Sequence, residues 1–150
     1  MTTFALTGGC LCGNIRYSLL APAKQVERCH CSTCWRTHGA LYASLALVDR
    51  EALRITTGQE GLCSYSRWPT IHRQFCGNCG CPLILVMDEI DDELNFFSAT
   101  LDGGAHPGHP PNKACHNWVS SKAHWETIAD ELPKFDSEPE LSCIHKSSSD

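Results

Sequence analysis

Apolar and polar positions along the chain fall into short runs rather than long periodic stretches. β-Branched and aromatic residues gather in brief segments cut apart by Gly, Pro, Asn and Asp, and no segment keeps a helical period for long. The pattern predicts a mainly β chain. Expected strands are NIRYSLL from Asn14, LYASLALV from Leu41, LRITTG from Leu53, LCSYS from Leu62, IHRQFC from Ile71, PLILV from Pro82 and LNFFSATL from Leu94. Helix is limited to a turn after Ser32, a piece at Asp49 to Ala52 and another at Ser121 to Ala129.

Between these elements, DGGAHPGHPPN from Asp102 to Asn112 has the Gly and Pro content of a surface loop, and its length suits a lid or rim. The closing SEPELSCIHKSSSD reads as a loosely ordered tail, 137–150, so Cys143 and His145 are set aside from any site. Residues 1–136 are expected to form one domain.

A chain of 150 residues can bury a core but gains limited stability from burial alone, so cross-linking would help it. The net charge is −5, with Lys and Arg scattered singly, which argues against DNA or RNA as the main ligand. The longest apolar run, ALYASLALV from Ala40, falls far short of a bilayer span. MTTFALTGG at the start has neither the basic region nor the apolar stretch of a secretory signal, so a cytoplasmic, reducing location is expected.

That location changes what 11 cysteines mean, because dense cysteine in a reducing compartment points to metal or catalysis before disulfides. Cys10 and Cys12 in GGCLCG would share one face of an extended segment, and FCGNCG presents Cys76 and Cys79 on a C-x-x-C knuckle. Together they make a closed four-thiolate zinc site tying the first hairpin to a distant one. Cys29, Cys31 and Cys34 in ERCHCSTCWRTHG then have no obvious fourth partner, which is the ligand count of a catalytic zinc with an open position. Cys81 and His30 are the residues that would complete that set. His30 would point away from ligands on either side of it, and Cys81 is read as a packed small residue, though neither is excluded.

GGCLCGNIRYSL, CHCSTCWRTHG, FCGNCGCPL and HNWVSSKAHWETIADELPKF together resemble the glutathione-dependent formaldehyde-activating enzyme (GFA) family, also known for the centromere protein V type of domain. The resemblance runs from Thr7 to Phe135. It implies two packed antiparallel sheets of Mss4-like architecture with zinc-binding knuckles. It also implies a structural zinc on Cys10, Cys12, Cys76 and Cys79, and a labile catalytic zinc on Cys29, Cys31 and Cys34. The activity implied is a zinc-dependent carbon–sulfur lyase reaction run in reverse, joining glutathione to formaldehyde as S-(hydroxymethyl)glutathione. His116 is the candidate proton donor, with a hydrogen-bonded structural histidine near Trp118 as the other reading, and Arg36 and Lys122 are candidates to meet the carboxylates of glutathione, with solvated surface charges as theirs. Trp35 and Cys81 depart from the residues common at their positions, which bears on the substrate more than on the metals.

Two other readings compete with the enzyme. A zinc-bearing protein-interaction module predicts a fully coordinated second ion. A redox protein predicts a disulfide among Cys29, Cys31 and Cys34, but no thioredoxin-type helical pattern surrounds the C-x-x-C at Cys31.

Overall fold

The structure is a computed structural model and describes residues 3–138. Cys143 and His145 therefore lie outside the described residues. Ten strands form two sheets. In chain order they are β1 (Leu6–Gly9), β2 (Arg16–Leu19), β3 (Gln25–Cys29), β4 (Ala43–Asp49), β5 (Leu53–Thr57), β6 (Leu62–Trp68), β7 (Ile71–Cys76), β8 (Pro82–Met87), β9 (Glu93–Phe97) and β10 (Ala114–Asn117). The α-helix α1 (Ser32–His38) lies between β3 and β4. The small sheet runs β1-β2-β5 and the large one β10-β3-β4-β9-β8-β7-β6. All pairings are antiparallel except β3 with β10, which run parallel with His116 opposite Arg28 and Asn117 opposite Cys29.

The mainly β, two-sheet architecture is the one expected. All seven expected strands form. Three short ones, β1, β3 and β10, were not anticipated. The helix expected at Ser121 to Ala129 does not form; only a 3-10 turn, Val119–Ser121, precedes an irregular stretch, and the piece expected at Asp49 to Ala52 is a 3-10 turn over Arg50–Ala52. The expected strand from Leu94 ends at Phe97 and turns into a 3-10 segment at Ser98–Thr100.

Alternation along the strands of the large sheet builds two cores, because neighbouring residues face opposite sides. Ala46, Val48, Ile84, Leu94 and Phe96 point one way, onto Ile15, Tyr17 and Leu19 beside and on the small sheet. Tyr17 meets Phe96 edge-on with ring centroids 6.0 Å apart, and its hydroxyl pairs with Thr100 Oγ1 at 2.8 Å. Leu45, Leu85 and Phe97 point the other way, onto Cys29 and Cys34. Cys10 and Cys76 belong to the first core, so the two cysteine groups pack on opposite faces of the large sheet.

The 102–112 segment is anchored rather than free. Asp102 takes hydrogen bonds from Thr7 and Arg16, Pro107 accepts from the Ala23 N–H at 2.8 Å, and Gly108 packs on Pro22 and Phe4.

Candidate metal centres

The first centre sits where the β1–β2 and β7–β8 turns meet. Cys10 and Cys12 occupy the β1–β2 turn itself rather than an extended segment, with the Gly13 N–H closing back on the Cys10 carbonyl at 3.1 Å. Cys76 ends β7, and the Gly80 N–H returns to its carbonyl at 2.7 Å, bringing Cys79 round. The four sulfurs lie within 4.8 Å of one another, with Cys10 to Cys12 at 3.6 Å and Cys12 to Cys76 at 3.8 Å. Tetrahedral Zn–S bonds of about 2.3 Å place sulfurs about 3.8 Å apart, so the group fits a zinc ion.

Donors aimed at these sulfurs favour thiolates. The Ile15 N–H reaches Cys10 Sγ at 3.2 Å and Asn78 Nδ2 reaches Cys12 Sγ at 3.3 Å. Burial opposes ionisation of Cys10, but the Ile15 N–H and the neighbouring thiols outweigh it and hold the group below the usual thiol range. Asn78 holds Cys12 low as well. Cys81 stands outside the group, half-buried against the first core with its Sγ 3.6 Å from the Pro82 carbonyl oxygen.

The second centre is built on one crossover. β3 delivers Cys29 at its end, Cys31 is the N-cap of α1, and Cys34 lies in the first turn of that helix with its N–H directed at Cys31 Sγ, 3.4 Å away. Gly39 takes a left-handed φ of 58° and ends the helix after seven residues. The three sulfurs also lie within 4.8 Å of one another. Cys29 and Cys34 are buried and Cys31 is half-exposed, so the cluster opens on the Cys31 side. Hydrogen bonds from Cys29 and Cys34 hold Cys31 far below the usual thiol range, while the same sharing pushes Cys29 far above it. Arg73 Nη2 donates to Cys34 Sγ at 3.4 Å. The donor set is that of a zinc site with three protein thiolates.

His30, between two of these cysteines, is fully buried and turned away from them. Its Nε2 pairs with His116 Nδ1 at 2.8 Å, and His116 Nε2 continues to Asp130 Oδ2 at 2.9 Å. Arg28 closes the chain on Asp130 at 2.9 Å, and Tyr42 packs on the His30 ring at 5.3 Å. His116 is therefore buried with both ring nitrogens engaged. Lys122 lines a cleft of about 730 Å³ with Trp35, Gly39, Ser121 and Trp125, and its Nζ is bonded to the Glu126 carbonyl at 2.8 Å. Arg36 is exposed on α1 and does not line that cleft.

A family model described as glutathione-dependent formaldehyde-activating enzyme matches residues 5–121, which include both cysteine groups and His116. The chain belongs to this family. Among its relatives are GFA proteins of Penicillium rubens, 25% identical over 65% of this chain and 62% of the relative, and of Phaeosphaeria nodorum, 26% identical over 69% and 64%. A third, from Podospora anserina, is 30% identical over 49% of this chain and 36% of its own length. All three carry the name glutathione-dependent formaldehyde-activating enzyme provisionally. The chain thus spans between about a third and two-thirds of the length of these curated relatives. A crystal structure of a Rhodobacter sphaeroides protein superposes with a TM-score of 0.53 at 26% identity, covering 65% of this chain and 89% of that one.

Within the GFA match, sequence reasoning singled out every sulfur of both groups. It passed over Asp130, Tyr42, Arg73 and His38. Asp130 and His38 stood inside the quoted motifs and Arg73 inside an expected strand, yet nothing in their spacing marks them, because strand and helix placement alone brings Arg73 to Cys34 and His38 to Phe97. Among the described residues, no helix is long and apolar enough to cross a membrane.

Proposed function

We propose that this chain is a zinc-dependent carbon–sulfur lyase of the GFA type, working in the synthetic direction on a thiol such as glutathione and on formaldehyde or a related small carbonyl. The observation that carries the reading is the difference in ligand count between the two centres: four sulfurs in one and three in the other, with no fourth protein ligand beside those three among the described residues. Cys10, Cys12, Cys76 and Cys79 would hold a structural ion, and Cys29, Cys31 and Cys34 a labile one. Bound at the second centre, zinc would supply a Lewis-acid position that keeps an incoming thiol ionised at neutral pH.

The protein's own groups do the rest. Cys31 opens the centre to reactants, and α1 fixes Cys34 relative to it. The Asp130 carboxylate can only accept, so His116 Nε2 donates to it; in the neutral chain His116 Nδ1 then accepts from His30 Nε2. That order fixes the tautomer and orientation of His30 and so the backbone linking Cys29 to Cys31. His116, the candidate proton donor, is placed in this reading as a positioning residue acting through His30. Lys122 sits in the cleft beside Trp35 and suits one carboxylate of glutathione, while Arg36 would meet the second from outside the cleft. A cytoplasmic setting, where glutathione is abundant, is part of the proposal.

The test is a native mass spectrum of reduced protein with and without glutathione, paired with the rate of S-(hydroxymethyl)glutathione formation above the spontaneous background. Two zinc ions, one lost readily or gaining a glutathione adduct, together with acceleration, are expected. Two tightly held ions with no adduct and no acceleration would replace the enzyme with an interaction module.

A further inference from the structure

Two residues bordering the Cys29 and Cys34 core each bury a polar atom that has no hydrogen-bond partner. Arg73 gives its Nη2 proton to Cys34 Sγ at 3.4 Å, but its Nη1 is buried with no hydrogen-bond partner. His38, four residues after Cys34 and so on the same face of α1, packs its ring against Phe97 with centroids 4.4 Å apart, and its Nε2 is likewise buried and unpartnered. Phe97 also contacts the Cys29 and Cys34 core, so both groups border the three-sulfur centre.

A buried N–H that makes no hydrogen bond is costly, and in native structures such a group takes a partner from water, an ion or a ligand. Guanidinium is donor-only and presents its donors as a planar fork suited to oxygen anions. Among the described residues, no carboxylate pairs with Arg73. Burial, aided by the charge of Arg73, holds His38 down to about 4, so at neutral pH it offers a neutral ring rather than a second cation.

We propose that Arg73 and His38 form a small-oxyanion site beside Cys34, where the carbonyl reactant's oxygen is held as it becomes an alkoxide. The identity of that oxygen rests on the function proposed above; the capacity to bind a small oxyanion does not. In the reaction the thiol's sulfur pair forms the C–S bond, and the C=O π pair moves onto oxygen. The proton that the thiol released returns to that oxygen, giving S–CH2–OH with no oxidant or reductant consumed. Donors aimed at the developing charge are what such a step requires.

Formate is the probe, with neutral formamide as its control. Each is titrated against zinc-loaded, full-length protein and followed by 13C NMR. The wild type is expected to bind formate near about 1 mM and to ignore formamide. Arg73→Met and His38→Phe should each weaken formate about tenfold, with Arg73→Lys falling between because it keeps charge and loses the fork. Circular dichroism and zinc content verify each variant; should Arg73→Met fail to fold, His38→Phe and Arg73→Lys decide. Formate binding that is absent from the wild type, or indifferent to these replacements, overturns the site. A chain that binds formate through both residues yet makes no S-(hydroxymethyl)glutathione keeps the site and loses the assigned reaction.

Discussion

Cys31 and Cys10 illustrate how two residues of one type carry different consequences. Cys31 caps a short helix at a half-exposed edge, so Cys31→Ser should remove one zinc equivalent and leave the fold, read by metal content and far-UV circular dichroism. Cys10 lies in the main core beside fully buried Cys76, so Cys10→Ser should unfold the chain, in keeping with structural zinc supplying on the order of 10 kcal/mol. Glu27 gives a pH signature. Burial, with a lesser push from Glu138, raises its carboxyl to about 7 against an ordinary 4.5, while Asn117 opposes the rise. The folded chain keeps a proton there that the unfolded chain gives up, so this stabilisation is complete below pH 4.5 and is lost as pH rises through about 7. Glu27→Gln should flatten the fall in stability across that window, by up to about 3 kcal/mol, in denaturant melts with zinc in excess. The two sulfur groups were legible in the sequence because C-x-C and C-x-x-C spacings act locally; the setting of Glu27 was not, because its neighbour Asn117 comes from β10, 90 residues along the chain.

At the scale of elements, β3, α1 and β10 work as one unit. β10 lies parallel to β3 and brings His116 against His30, which holds the segment between two cysteines of the three-sulfur group. Replacing His116 with Ala leaves His30 Nε2 buried and unpaired, an expected cost of about 1–3 kcal/mol. Zinc affinity at the second centre should fall about tenfold or more, measured by competition with a chromophoric chelator, while the first centre keeps its ion. The sequence hid this unit. QVERC and ACHN are too short and too polar to read as strands, and a parallel partner across the chain confirms them only in three dimensions. The opposite error came at SKAHWETIA, Ser121 to Ala129, where a helix was expected but the local bonds go elsewhere. Trp118 turns left-handed at φ 55°, its N–H reaches the Ser137 carbonyl, and Lys122 spends its ammonium on the Glu126 carbonyl.

Across the whole molecule, the two centres sit on opposite faces of the large sheet and answer to different parts of the fold. Stepwise chelation should therefore release the three-sulfur ion with little change in melting temperature. Removal of an ion from the four-sulfur group should expose amides of β1, β2 and β5 together in hydrogen exchange, since an ion held there would pin the small sheet's first turn to the large sheet. The mainly β class was readable from short apolar runs and the two sheets were implied by the family resemblance, whereas the order of strands was not legible, because it is set by contacts between distant segments. The four-sulfur node joins positions 64 residues apart, and closing a loop of that length removes about 4 kcal/mol of unfolded-chain entropy in the cross-link picture. It also sets an order in time. During synthesis from the N-terminus, Cys10, Cys12, Cys29, Cys31 and Cys34 leave the ribosome before Cys76 and Cys79 exist. A nascent chain would thus offer metal five cysteines in combinations other than the two folded groups, and loading of the four-sulfur group would wait for the β7–β8 turn to join the first pair.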